Sequence, residues 1–209
     1  MGDTLGIHWA ATTHGTWLHG DARGSWREGR LIGADPYLQA QCRAQMTGDA
    51  VLLNAAERTL VAEAFGEIVC EQQHRVLAAT IQATHVHLIF APLCEEVRVV
   101  IARLKRRAAA AVLARRRALK DPAKMAGLYS RAILARSRTV PRSLWTGGKF
   151  LVYIFDEGHL INAIEYVRDH NRRVGIPPDP FDWIHPLYPA PETAGERCCN
   201  TTDCEQLRL

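Results

Sequence analysis

The sequence predicts an α+β fold in which helices pack on an antiparallel sheet. Two observations support this: short β-branched and aromatic runs alternate with longer segments whose apolar residues recur at three- and four-residue steps. The 209 residues are 47% hydrophobic, which suits one enlarged domain with a buried core. The predicted order is strand, helix, strand, strand, helix, strand, helix. A ferredoxin-like sheet with helices packed on one face is the simplest topology for this order.

The first half of the chain is predicted to contain three strands and a helix. Residues 7–13 predict the first strand, after which glycines punctuate a long irregular loop. From Asn54, which is suited to cap a helix, helical spacing continues to about Gln73. Residues 74–83 and 84–92 then predict two strands. The connection between them is short, so we expect them to pair antiparallel at the sheet centre.

The second half returns to helices and one more strand. Residues 95–119 have helical composition with bases towards the end, in agreement with the helix dipole. Residues 121–141 predict a mixture of helix and loop, 150–155 a strand and 157–171 a helix. Prolines are frequent after Gly175. The predicted domain therefore covers residues 1–175, and residues 176–209 form an irregular tail.

Basic residues concentrate in one segment. The net charge is only +4, but residues 103–149 contain fourteen Lys or Arg and a single acid. Two basic triplets, at 105–107 and 115–117, repel one another without carboxylate partners, so a nucleic-acid backbone is a natural counterion. The alternative is a solvated basic helix. The candidate nucleic-acid-binding residues are Lys105, Arg106, Arg107, Arg115 and Arg116.

The cysteines and the hydropathy pattern indicate a reduced compartment and no membrane. The six cysteines show no CxxC spacing, and no charged-then-apolar leader precedes them, so we expect a cytoplasmic protein. No apolar run approaches the ~20 residues that span a bilayer. Three cysteines lie in the tail, where an unstructured segment is a simpler interpretation than a metal site. They are Cys198, Cys199 and Cys204.

Two histidines flank Val86 on one predicted strand. Side chains two residues apart on a strand point to the same face, so the imidazoles of His85 and His87 emerge together. They provide two nitrogen ligands for a metal, which needs further ligands elsewhere. The alternative is a pair of incidental histidines.

The last predicted helix carries Tyr166 and, four residues later, His170. This spacing puts the phenol and a third imidazole on one helix face. A phenol, with a pKa of about 10, is a weak nucleophile at neutral pH unless a metal polarises its target or a base takes its proton. The alternative for Tyr166 is packing among the apolar residues of the same helix.

These pieces resemble the single-tyrosine HUH transposases of the smallest insertion sequences and the related REP-associated tyrosine transposases. THVHLIF, at 84–90, contains the HUH motif. LWTGGKFLVYIFDEGHLINAIEYVRDHN, at 144–171, is similar to the Trp-containing approach, last strand and tyrosine helix of the family. THGTWLHGDARGSW, at 13–26, resembles the Gly-rich start of some members. The resemblance covers residues 7–175.

The resemblance implies a dimeric DNA transposase that binds hairpin-bearing single-stranded DNA. His85 and His87 would hold Mg²⁺ or Mn²⁺, and Tyr166 would attack the phosphate to form a 5′-phosphotyrosine bond and a free 3′-hydroxyl. A later 3′-hydroxyl would displace the tyrosine, so that one site cleaves and rejoins strands. The alternative is a catalytically inactive or domesticated nucleic-acid-binding protein of the same fold.

The third metal ligand departs from the family pattern, and the role of three tryptophans stays open. In the family an amide residue on the tyrosine helix completes the metal site, whereas this chain has His170 one turn after Tyr166 and Asn171 next to it. Either residue is a candidate third ligand, and helical geometry favours His170, because a five-residue step places the side chain about 140° around the helix from Tyr166. Three tryptophans in loop contexts are candidates for stacking on unpaired bases or for ordinary packing. They are Trp17, Trp26 and Trp145.

Overall fold

The computed structural model describes residues 3–27, 30–46, 48–119, 143–147, 150–185 and 187. None of the helices in these ranges is long and apolar enough to cross a membrane. The segment 121–141 and the cysteines of the tail lie outside the described residues. In chain order the elements are β1 (Gly6–Thr12), β2 (Ser25–Arg27), β3 (Arg30–Ile32), α1 (Pro36–Ala44), α2 (Ala55–Glu71), β4 (Val76–Ile81), β5 (His85–Phe90), α3 (Val97–Ala118), β6 (Phe150–Ile154) and α4 (Glu157–Arg173).

The main sheet has the strand order β4-β5-β1-β6, and every neighbouring pair is antiparallel. With helices between β1 and β4 and between β5 and β6, this is the predicted ferredoxin-like topology, which is confirmed. The expectation that β4 and β5 both lie at the centre is wrong for β4, because β1 pairs with both β5 and β6. β4 is therefore an edge strand. Its Val76 bridges to Ile184, which covers part of that edge.

Helices lie on both faces of the sheet, which corrects the prediction of helices on one face. On β5, Leu88 belongs to the apolar cluster formed with α2 and α3. The next residue, Ile89, belongs to a second cluster that includes Leu160 and Ile164 of α4. Because successive strand residues point to opposite faces, a strand that is apolar at both odd and even positions needs cover on both sides.

The start of α2 is fixed by a capping box. The Asn54 side chain accepts a hydrogen bond from the Glu57 N–H at 3.0 Å, and the Glu57 carboxylate accepts one from the Asn54 N–H at 3.1 Å. Arg116 of α3 donates to the two oxygens of this carboxylate at 2.7 and 2.8 Å. Glu57 is buried. The cap therefore also joins α2 to α3.

The long loop after β1 is more ordered than the sequence predicts, since it contains the β2–β3 hairpin and α1. Gly20 has a φ of +85°, and a Cβ at this position would collide with the Asp35 carbonyl oxygen. The loop is fastened beside β5, because the Thr13 N–H donates to the Thr84 carbonyl oxygen at 2.8 Å. Gly20 thus allows the loop to close on itself at Asp35, while the Thr13 hydrogen bond holds the start of the loop beside β5.

Residues 176–185, which the sequence assigns to the tail, contain no helix or strand but pack on the domain. Trp183 and Ile184 are both only 7% exposed and belong to the cluster with α2 and α3. The rings of Phe181 and Trp183 stack with centroids 4.9 Å apart. A Cβ on Gly66 of α2 would lie 2.6 Å from the Trp183 ring, so α2 needs glycine at this contact.

Candidate metal and nucleophile site

β5 presents its two histidines on the face that α4 covers. His85 and His87 alternate with Val86, which is fully buried in the cluster with α2 and α3. In the antiparallel register, Thr12 of β1 lies opposite His85 and Ala10 lies opposite His87. The two imidazoles are half-buried, with ring centroids 5.1 Å apart. They share the orientation that the two-residue period of a strand predicts.

α4 brings Tyr166 and His170 against these histidines. The helix begins after Asp156, whose side chain accepts a backbone hydrogen bond of the first turn at 2.7 Å. Its buried residues, including Ile164 and Val167, hold it on the sheet. The rings of Tyr166 and His170 are adjacent on the helix surface, with centroids 4.5 Å apart. The four-residue spacing thus produces the shared face that the sequence predicts.

One ring nitrogen from each of His85, His87 and His170 lies within 4.8 Å of the others, so the three could hold a metal ion. The His170 centroid is 5.4 Å from that of His85 and 5.1 Å from that of His87. Two residues of a strand and one of a helix therefore bring three nitrogen ligands together, which is the number that a protein commonly supplies to a catalytic metal.

The hydrogen bonds of the three imidazoles fit metal binding. An imidazole that binds a metal through Nε2 carries its proton on Nδ1, and that N–H usually donates to a neighbouring acceptor. All three Nδ1 atoms have such a neighbour, which leaves all three Nε2 atoms for a ligand. The contacts are His85 Nδ1 to the Thr84 hydroxyl at 3.0 Å, His87 Nδ1 to His8 Nε2 at 3.0 Å, and His170 Nδ1 to the Tyr166 carbonyl oxygen at 2.9 Å.

Burial keeps the two strand histidines neutral. Loss of hydration lowers the pKa of His85 to about 4, and the nearby imidazole of His170 acts in the same direction. Burial, followed by the neighbouring histidines, lowers the pKa of His87 to about 2. Protons therefore do not compete with a metal for these two imidazoles near pH 7.

Asn171 faces away from the three histidines. It is only 1% exposed, and its Nδ2 donates to the carbonyl oxygens of Ala79 and Pro178 at 3.0 and 2.9 Å. These bonds tie α4 to β4 and to the segment after the helix. Of the two candidate third ligands, the structure brings His170 to the pair and gives Asn171 a structural contact.

Tyr166 is 47% exposed, although α4 itself packs closely on the sheet. Its ring centroid lies 5.5 Å from that of His87, at the border of the three-histidine group. It does not belong to the apolar cluster that contains Ile164 and Val167. The phenol is therefore open to solvent on one side and faces the candidate metal site on the other.

Sequence reasoning missed His8, which completes the site. This residue of β1 is 9% exposed, and its Nε2 lies 3.0 Å from Nδ1 of His87. Burial is the main reason that its pKa is lowered to about 4, with His159 and His170 acting in the same direction. The available signal was a polar residue between Ile7 and Trp9 in an apolar strand. Its neighbour, however, depends on which strand pairs with β1.

The predicted basic residues lie on α3, which packs on the face of the sheet opposite the histidines. The expectation that the triplets lack carboxylate partners is wrong for one arginine in each triplet. Arg107 donates to Glu67 of α2 at 2.8 Å, and Arg116 is paired with Glu57. The partners come from α2, which the segment's own composition does not reveal.

Two of the remaining basic candidates are free to face solvent. Arg106 and Arg115 are exposed, whereas Lys105 donates to the Thr146 carbonyl oxygen at 2.9 Å. Among the tryptophans, Trp145 is buried and Trp17 is 40% exposed. The side chain of Trp26 lies outside the described part of the chain.

The fold and the site define a ferredoxin-like domain in which a tyrosine lies beside a three-histidine candidate metal centre. No protein-family model matches the sequence, and no curated protein matches it. Among solved structures, a candidate transposase from Deinococcus radiodurans R1 is similar, with 14% identity and a TM-score of 0.41 over 81% of this chain and 92% of that chain.

A second solved structure, a REP-associated tyrosine transposase bound to a REP hairpin, is 11% identical. Its TM-score is 0.42, over 96% of each chain.

Proposed function

We propose that this chain is a DNA transposase, a metal-dependent single-strand DNA endonuclease and strand transferase whose nucleophile is Tyr166. The observation that carries the proposal is the exposed Tyr166 ring beside three imidazoles that converge on one point. A phenol reacts at neutral pH only when its target is polarised or its proton is taken. A metal ion bound by the three histidines would lie next to the phenol and could polarise its target as a Lewis acid.

His85, His87 and His170 are the proposed ligands, and Mg²⁺ or Mn²⁺ is the proposed metal. The bound cation would polarise the scissile phosphate and offset its negative charge. Imidazole nitrogens are softer donors than the oxygens that Mg²⁺ prefers, so this donor set favours Mn²⁺ over Mg²⁺. The Nδ1 contacts of the three rings leave their Nε2 atoms available to bind the cation.

In the proposed reaction, the Tyr166 oxygen attacks the phosphorus and the 3′-oxygen of the preceding nucleotide leaves. The phenol loses its proton and the departing 3′-oxygen gains one, so a 5′-phosphotyrosine and a free 3′-hydroxyl result. The ester keeps the energy of the broken bond. A second 3′-hydroxyl can then attack the same phosphorus and release the tyrosine, which joins strands without a nucleotide cofactor.

Hairpin-bearing single-stranded DNA is the proposed substrate, and a homodimer is the proposed assembly, both from the resemblance of the motifs. Trp17 is 40% exposed, and the Arg23 guanidinium, which is also paired with Asp21, lies 4.9 Å from its ring centroid. Arg23 donates to the Thr16 carbonyl oxygen at 2.9 Å, and the Thr16 hydroxyl donates at 3.1 Å to the carbonyl oxygen of Thr84, the residue before His85. An aromatic ring with an adjacent cation suits an unpaired base and its phosphate.

The experiment is covalent capture of labelled DNA. Wild-type protein, Tyr166→Phe and Tyr153→Phe are incubated with Mn²⁺ and 3′-labelled single-stranded DNA from the flanks of the gene, then run on a denaturing gel. Tyr153 is a matched control, because it is 46% exposed, against 47% for Tyr166. Wild type and Tyr153→Phe should form a protein–DNA adduct, and Tyr166→Phe should reduce it to background.

The outcomes separate the proposal from its alternative. An adduct of undiminished yield in Tyr166→Phe would show that another residue is the nucleophile. Wild-type protein that binds the DNA tightly but forms no adduct with Mn²⁺ would favour the inactive or domesticated DNA-binding protein. Phe keeps the tyrosine ring, so thermal stability should be unchanged in both variants.

A further inference from the structure

His8 is a buried histidine for which the proposed cleavage reaction has no chemical step. In the register of β1 it pairs with Ile89 of β5 and with Val152 of β6. Ala10, two residues further on, is opposite His87. His8 is therefore the diagonal neighbour of His87 on the same face of the sheet, and the two rings lie 5.2 Å apart between centroids.

The contact between the two rings restricts the tautomer of each. His8 Nε2 and His87 Nδ1 are 3.0 Å apart, so one nitrogen must donate and the other accept. If His87 binds a ligand through Nε2, its single proton is on Nδ1 and it donates to His8. His8 then accepts through Nε2 and carries its own proton on Nδ1. The opposite assignment would put the proton of His87 on Nε2 and block that atom.

The surroundings of His8 keep its ring in place. Phe150 contacts it edge-on at 5.4 Å between centroids, and Tyr166 approaches at 6.2 Å in a similar geometry. Burial limits alternative rotamers, since His8 is only 9% exposed. A ring held in this way is a fixed acceptor. It can therefore hold the plane of the His87 ring as well as the position of its proton.

We propose that His8 is a positioning residue, which accepts the Nδ1–H of His87 and thereby keeps Nε2 of His87 unprotonated and directed at the three-histidine centre. This role rests on the proposed function only for the chemistry carried out at the three-histidine centre. The tautomer and orientation of His87 are the same whether or not the chain cleaves DNA.

Two substitutions test this role. His8→Leu keeps apolar bulk near the ring position but removes the acceptor. His8→Gln places an amide oxygen at about the distance of Nε2 and can accept the same hydrogen bond. The control is His74→Leu, which removes another partly buried histidine with a side-chain hydrogen bond, from His74 Nε2 to Gln72 at 3.0 Å.

The tautomer is read from the ¹⁵N chemical shifts of His87 in metal-free protein at pH 7. Wild type, His8→Gln and the control should show the proton on Nδ1, and His8→Leu should show a mixture. Titration with Mn²⁺ gives the second readout. Loss of such an outer partner weakens metal binding by about 10- to 100-fold, so His8→Leu should lose at least about tenfold, whereas the other two variants should stay close to wild type.

The two readouts distinguish failure of this inference from failure of the proposed function. If His8→Leu keeps the Nδ1–H tautomer of His87 and the wild-type Mn²⁺ affinity, the positioning role is refuted while the metal site stands. If wild-type His87 has its proton on Nδ1, and only His8→Leu changes this, the positioning role holds even when no variant binds Mn²⁺. The absence of Mn²⁺ binding would instead refute the metal-dependent function. Thermal unfolding checks that His8→Leu is folded. If it is not, the wild-type spectrum decides, because a proton on Nε2 of His87 would refute the positioning role.

Discussion

Replacing His170 and Asn171 separately by alanine should produce two different defects, although the residues are adjacent. Asn171→Ala removes the two hydrogen bonds from Nδ2 to the Ala79 and Pro178 carbonyl oxygens. Each contributes about 1 kcal/mol, and a carbonyl left buried without its donor adds a cost, so the free energy of unfolding should fall by about 2–3 kcal/mol. In a chain of this size the melting temperature should fall by about 4–12 °C.

His170→Ala should leave stability almost unchanged and damage metal binding. Within the described residues, the one hydrogen bond of the His170 side chain is to the Tyr166 carbonyl oxygen of its own helix, and alanine is the better helix former. The change in unfolding free energy should therefore stay within about 0.5 kcal/mol. Removal of one of three ligands should weaken Mn²⁺ binding by more than the roughly tenfold cost of losing an outer partner.

Thermal unfolding in EDTA and calorimetric titration with Mn²⁺ measure the two effects on the same protein preparations. The expected pattern is a stability loss with near-normal Mn²⁺ affinity for Asn171→Ala, and the reverse for His170→Ala. Wild-type Mn²⁺ affinity in His170→Ala would refute the third ligand. A specific loss of affinity in a folded Asn171→Ala protein would return the amide to the metal site.

The remaining predictions concern pH and charge. In EDTA the unfolding free energy should fall as the pH is lowered from about 6.5 to about 4, because His85 takes up a proton in the unfolded chain in this window while burial keeps its folded pKa near 4. Urea titrations at each pH should show that the unfolding free energy of His85→Gln depends less steeply on pH. An equal dependence in wild type and variant would contradict the burial of His85. The double variant Arg106→Ala, Arg115→Ala should release about two fewer counterions on binding DNA, which lowers the slope of log affinity against log salt concentration. An unchanged slope in a binding assay would show that α3 does not contact the DNA backbone. Arg116→Ala should instead destabilise the protein by about 3 kcal/mol in chemical denaturation, because it leaves the Glu57 carboxylate buried without its cation.

Local patterns in the chain were sufficient for the strands of the main sheet, for the three long helices and for most of the candidate site, but not for the β2–β3 hairpin and α1. The period of a strand places His85 and His87 on one face, and the four-residue spacing on a helix places Tyr166 beside His170. The helix start at Asn54 also follows from a local cap. These features depend on residues within one turn or one strand of each other, so the local sequence is enough to predict them.

Strand order followed only from choosing the ferredoxin-like topology as the simplest arrangement, and not from local spacing. Nothing near His8 in the sequence indicates that β1 inserts between β5 and β6, yet this pairing brings His8 to His87 across 79 residues. The same is true of α3, whose basic residues find their carboxylates on α2. An interpretation of charge from one segment is therefore incomplete, since the counterions come from another.

Asn171 illustrates the difference between local and long-range determinants. The helical step predicts that its side chain turns away from Tyr166, and this is local geometry. Its function in the fold depends on the Ala79 carbonyl oxygen, 92 residues earlier, and on the chain that returns along the helix afterwards. Backbone periodicity is set by sterics between near neighbours, whereas partners in a folded core are set by which elements exclude water together. The first can be read from spacing, and the second exists only once the sheet has formed.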